Sequence, residues 1–160
     1  MILIAYDGSK DAQSAIERAG ELMSGEPATV LSVWESLVDV MTRTGAGLGF
    51  VSGNIDFEEF DKASEASARE RAEEGAQRAR HAGLNAQPRT HVRDATIAAT
   101  ILVEADRVGA SAIVLGTRGL TGVKSLLLGS VSHAVLQHAD RPVIVVPSPE
   151  VAHERATHRH

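Results

Sequence analysis

The sequence predicts an α/β domain built on an open sheet of parallel strands, with helices on both faces. Two observations carry this expectation. Short apolar runs recur at residues 2–6, 28–34, 112–115 and 143–146, and three of the four are apolar without alternation. Strands read that way when both faces of their sheet are covered. Helical patterns alternate with these runs, and alternation of this kind implies right-handed crossovers between parallel strands. A length of 160 residues suits one domain, and 43% hydrophobic with 23% charged residues is ordinary for a globular chain.

Each element has a local reason. In the first helix, residues 11–23, the side chains Ala12, Ile16, Ala19 and Met23 share one face. Ser9 can cap it by accepting a free backbone N–H, and Gly25 and Pro27 end it. The second helix is expected over 56–81, with Ala68, Ala72, Ala76 and Ala79 on the face toward the sheet. Glu65/Arg69 and Glu74/Arg78 are i,i+4 pairs in the favourable order, and Gly83 suits a left-handed stop. A weaker strand spans 86–92, where Pro88 argues for an early or edge position. The third helix is placed at 95–108 with Asp94 as its cap and Ile97, Ile101, Ala105 and Val108 buried. The fourth runs over 130–139 with Val131 and Val135 inward, and Pro142 forbids its continuation. Residues 35–53, with Gly45, Gly47, Gly49 and Gly53, read as a long loop. The domain is placed at 1–149, and 150–160 reads as a frayed polar tail.

Composition narrows the function. The chain has no cysteine, so disulfides, thiolate nucleophiles and Cys-bound metals are excluded. A net charge of −5 and 3% aromatics argue against nucleic acid as a partner. The apolar runs are too short to cross a membrane, and the start MILIAYDGSK lacks the basic and apolar regions of a secretory signal. A cytoplasmic protein is the expectation.

The chemistry concentrates in residues 113–146. A buried strand runs into Gly116-Thr117-Arg118-Gly119, and Gly129-Ser130 then opens a helix. Glycine lets a ligand approach the backbone closely, and a helix start offers unpaired N–H groups and a positive dipole end. Together they can cradle phosphate, with the Ser130 hydroxyl as a further donor. The same glycines could instead merely turn the chain. The pattern is neither GxGxxG after the first strand nor GxxxxGK[ST].

The spacing of Gly116, Gly119, Gly129 and Ser130, the run LLLGSVSHAVLQHADRPVIVV and the opening strand ending in Asp7-Gly8-Ser9 resemble the universal stress protein family. The resemblance covers about residues 1–147. It implies a five-stranded sheet of order 3-2-1-4-5 and a nucleotide-responsive stress or signalling homodimer. It also implies binding of ATP or another adenine nucleotide, with Mg²⁺, to members that keep all the glycines. On this sequence, Leu115, Gly116, Arg118 and Gly119 would flank ribose and phosphates, and Gly129, Ser130 and Val131 would hold phosphates. Ala5, Tyr6 and Asp7 would flank the adenosine, with Val33 against the adenine. Asp7 would bond ribose or help hold the Mg²⁺, an ion that favours oxygen ligands. Ser9 is a cap or a ligand contact, and Trp34 or Lys124 could border the site. The chain departs from the family's habit at Ala5, Ser111 and Arg93-Asp94, and none of these removes a phosphate-binding glycine. No catalytic set is visible. A slow Mg²⁺-dependent ATPase and a dimeric interaction module that binds no nucleotide are the alternative readings. The homodimer is expected to pair through residues 142–147, a short apolar edge strand.

Overall fold

The computed structural model describes residues 1–45, 55–120 and 128–157. Five strands alternate with helices: β1 (Ile2–Ala5), α1 (Lys10–Leu22), β2 (Pro27–Trp34), α2 (Leu37–Thr44), α3 (Phe57–His81), β3 (Asn85–Val92), α4 (Ile97–Arg107), β4 (Ala112–Gly116), α5 (Ser130–His138), β5 (Val143–Val146) and α6 (Pro149–Thr157). The strands form one sheet in the order β3-β2-β1-β4-β5, and every pairing is parallel. Ile4 of the central strand pairs with Val30 on one side and Val114 on the other.

Side-chain alternation along β1 divides the core in two. Ile2, Ile4 and Tyr6 pack with Ala12, Ile16, Ala76 and Ala79 on the α1/α3 face. Leu3 and Ala5 pack with Ile101, Ala105 and Val135 on the α4/α5 face. The alanine stripe of α3 is fully buried, and its small side chains bring that helix close to the sheet. Gly75 makes the approach possible, because a Cβ there would stand 2.8 Å from both Tyr6 Cδ1 and Val30 Cγ1. Tyr6 lies beneath this helix and donates its phenol to Glu74 Oε1 at 3.0 Å.

Two predicted ends hold: Ser9 accepts from Ala12 N at 3.2 Å, and Gly83 takes a φ of +96° beyond α3. Asp56, the first residue of the expected helix, caps α3. Pro88 lies in edge strand β3. Three expectations need correction. The cap of α4 is Thr96 rather than Asp94, since the Thr96 hydroxyl accepts from Ala99 N at 3.0 Å. The stretch read as loop from residue 35 holds α2, capped by Ser36 and closed by Gly45 at a φ of +69°. The tail expected to fray forms α6, which buries Val151 and reaches Lys10 through Glu150 at 2.7 Å. Gly47, Gly49, Gly53, Lys124, His158 and His160 lie outside the described residues. No described helix is long and apolar enough to cross a membrane.

Candidate functional site: a glycine cradle at the carboxyl ends of β1 and β4

β1 and β4 are neighbours, and the chain leaves them in opposite directions. β1 feeds α1 on one face of the sheet, and β4 leads to α5 on the other. The crevice between two such strand ends is where open α/β sheets bind ligands. Asp7, Ser9, Arg118, Gly119 and Gly129 meet there.

Asp7 joins the two loops. Its Oδ1 accepts from Ser9 N at 2.9 Å, and its Oδ2 accepts from Leu120 N at 3.2 Å. A Cβ at Gly119 would stand 2.8 Å from that same Oδ2, so the carboxylate lies against bare backbone. Ser9 is a cap as predicted, and its hydroxyl also donates to Arg118 O at 3.4 Å. The glycine turn and the start of α5 touch directly. Gly129 N donates to Thr117 O at 2.7 Å, and Ser132 Oγ donates to Gly116 O at 2.7 Å. A Cβ at Gly129 would lie 3.3 Å from Thr117 O and 3.9 Å from Gly119 N.

The start of α5 differs from its counterparts. α1, α2, α3 and α4 are capped by the side chains of Ser9, Ser36, Asp56 and Thr96. α5 begins at Gly129 with no side-chain cap, and its first in-helix bond runs from His133 N to Gly129 O. The amides of Ser130, Val131 and Ser132 therefore have no partner among the described residues. They border the Gly116–Gly119 turn.

Ala5, Val33, Leu115 and Val131 all pack into the α4/α5 face of the core, which makes that side of the crevice apolar. Tyr6 departs from the expectation. The resemblance puts it beside the adenosine, but its side chain is 3% exposed and turned to the opposite face under α3. Burial and the Glu74 carboxylate push its pKa up to about 12.

Sequence reasoning missed Asp11 and Thr117. Asp11 is buried beneath the glycine turn, where its Oδ2 accepts from Thr117 Oγ1 and from Arg118 N at 3.1 Å. A Cβ at Gly116 would stand 2.6 Å from Asp11 Cβ, so α1 lies directly on the turn. The available signal was an acidic residue in the first turn of α1, which reads equally well as a dipole partner. Among the described residues no cluster of three His, Asp or Glu side chains could hold a metal.

The sequence profile of the universal stress protein family matches residues 1–147. "Universal stress protein YxiE" of Bacillus subtilis is 31% identical over 147 residues, spanning 91% of this chain and 97% of that protein. The universal stress protein of Archaeoglobus fulgidus in complex with dAMP superposes with a TM-score of 0.57 at 22% identity, over 91% of this chain and 95% of the other. A universal stress protein family protein of Arabidopsis thaliana with AMP bound does so with a TM-score of 0.62 at 19% identity, over 91% and 90%. A fold shared at these identities, a relative aligned along nearly its whole length and the matching profile agree: the chain belongs to the universal stress protein family.

Proposed function

We propose that this protein binds an adenine nucleotide, ATP with Mg²⁺, across the carboxyl ends of β1 and β4, and acts as a nucleotide-responsive homodimer. One observation carries the reading. α5 alone among the helices with a described cap lacks a capping side chain, and its open amides border a turn of glycines. A buried or half-buried helix start needs a partner for those donors, and a phosphate supplies one. The residues fit such a ligand. Side chains at Gly119 and Gly129 would crowd the cradle, and Ala5, Val33 and Val131 offer an apolar surface for a base. Asp7 would stand by the ribose or the Mg²⁺. The bound cation would offset phosphate charge beside that carboxylate. The relatives solved with dAMP and with AMP support the adenine class.

Calorimetric titration of the whole chain with AMP, ADP and ATP, with and without Mg²⁺, tests this. Wild type should bind with one site per chain. Gly129→Val should lose binding with little loss of fold, because Gly129 has an ordinary extended backbone (φ −68°) and its Cβ would enter the cradle. Absence of binding by wild type at millimolar nucleotide refutes the reading.

The two sheet edges support the dimer. β3 carries Pro88 and the side chains of Arg89 and His91, devices that discourage edge pairing. β5 is Val-Ile-Val-Val, with its first three residues only partly covered. Sedimentation should show a dimer at micromolar concentration, and Ile144→Lys should shift it to monomer.

A further inference from the structure

An open cavity of about 450 Å³ lies between α2, α3 and the carboxyl end of β2. Val33, Val40, Phe60 and Ile97 make its apolar walls, and Ser64 and Arg71 of α3 add polar groups. The volume lies in the lower part of the range for small-molecule sites, roughly 300–1,000 Å³.

Arg71 is the informative member. It is half-buried, and its Cδ lies 3.8 Å from where a Cβ at Gly8 would stand. Its Nε donates to Ser32 Oγ at 3.3 Å, and its two terminal nitrogens meet no acceptor among the described residues. Other arginines nearby are paired. Arg43 and Arg93 bond Glu35 at 3.1 and 2.7 Å, so the carboxylate that also lines the cavity is already neutralised. Among the described residues, the cavity thus combines an apolar wall with one positive charge that no carboxylate pairs.

We propose that this cavity binds a small apolar monoanion, a carboxylic acid with a hydrocarbon body, whose carboxylate bonds the terminal nitrogens of Arg71. A guanidinium presents parallel donors that match a carboxylate's two oxygens. A single cation balances a single negative charge, whereas a phosphate dianion would leave one charge facing the Ser64 and Ser67 hydroxyls, the Glu35 carboxylate and apolar walls. The site is built from α2, α3, the end of β2 and the start of α4, and apart from Val33, which also faces the proposed base, it uses none of the residues of the glycine cradle. The two adjoin at Val33.

Octanoate is a suitable probe, and Trp34, the chain's one tryptophan, lines the cavity and reports occupancy by fluorescence. Titration of the full chain, read by Trp34 emission and by calorimetry, should give saturable binding. Arg71→Met keeps the length of the side chain without its charge and should weaken binding about tenfold or more, the loss of one charge-assisted contact. Arg71→Lys should recover part of the affinity. The neutral analogue 1-octanol should bind wild type and Arg71→Met alike, and Gly129→Val should keep octanoate binding while losing nucleotide. Phe60→Asp, at a partly exposed wall position, should abolish octanoate binding and serves should Arg71→Met fail to fold. No saturable binding by wild type, or equal affinity in Arg71→Met, overturns the proposal. So does loss of octanoate binding in Gly129→Val, which would assign the probe to the cradle.

Discussion

Asp11 offers a sharp test of how the cradle is held. Its carboxylate is 6% exposed, and it accepts from the hydroxyl of Thr117, itself 1% exposed, and from the amide of Arg118. Hydrogen bonds to a charged group contribute about 1.5–3 kcal/mol each, and a buried donor left unpaired costs about 1–3 kcal/mol. Asp11→Ala strands both donors, and the Arg118 amide can recover part of its loss from water. The expected cost is about 3 kcal/mol. For a domain of this size each kcal/mol moves Tm by about 2–4 °C, so the melting temperature should fall by about 6–12 °C. Asp11→Asn keeps one acceptor and the shape but loses the charge, and should cost about half as much. The turn from Gly116 to Gly119 loses its anchor in both variants, so nucleotide affinity should fall in the same order. Calorimetric melting and nucleotide titration of the two variants make the comparison. An Asp11→Ala protein that melts with wild type would show that the contact contributes nothing, and the account of the turn would be wrong.

Two further outcomes follow from groups outside the cradle. Tyr6 is the sole tyrosine, so the ultraviolet absorbance of phenolate reports it alone; its midpoint should lie at about pH 12 rather than the usual 10, and Glu74→Gln should lower it. Because this pKa is raised in the folded state, the stability it contributes is complete below about pH 10 and is lost as pH rises through 12. A midpoint near 10 in the native protein would contradict the burial described. Gly20→Ala should destabilise by about 2 kcal/mol, because its Cβ would stand 2.3 Å from the Ala82 carbonyl oxygen and backbone cannot swing aside. Overpacking of about 3 kcal/mol, less the gain of about 1 kcal/mol in helix propensity, gives that figure. Urea unfolding should show a lower midpoint at unchanged slope, and an equal or higher midpoint would mean that α1 and α3 do not cross so closely.

The parts of the fold that the sequence disclosed are those governed by periodicity and by backbone punctuation. Ile2, Leu3 and Ile4 could be read as a doubly covered strand because nothing polar interrupts them, and the alanine stripe of α3 because a 25-residue helix repeats its pattern several times. Pro88 pointed to an early or edge position, and β3 is an edge strand. α2 escaped because it has 8 residues, too few for a period to declare itself, and its one buried residue, Leu37, depends on docking. Leu37 N donates to Asp61 of α3 at 2.7 Å, a tertiary bond that no local signal announces. The Thr96 cap was missed for a related reason. Asp94 is the stronger capping type in isolation, yet Asp94 N is drawn to Thr100 Oγ1 at 2.9 Å, and the helix begins two residues later.

The cradle was legible from glycine spacing, since positions that must stay bare leave a mark in the sequence itself. What holds those positions in place leaves none. Thr117 and Asp11 are 106 residues apart, and their bond exists only because β4 and α1 pack together. Tyr6 shows the converse. It stands next to Asp7 at the end of β1, so proximity along the chain suggests a shared site. The alternation of side chains beyond a strand sends the two to different places: Tyr6 under α3, and Asp7 onto the amide of Leu120. A motif therefore identifies main chain that a ligand can approach, while the side chains that shape and rigidify the approach are set by which face of the sheet each residue meets. Those are the residues whose roles require a three-dimensional arrangement to be read.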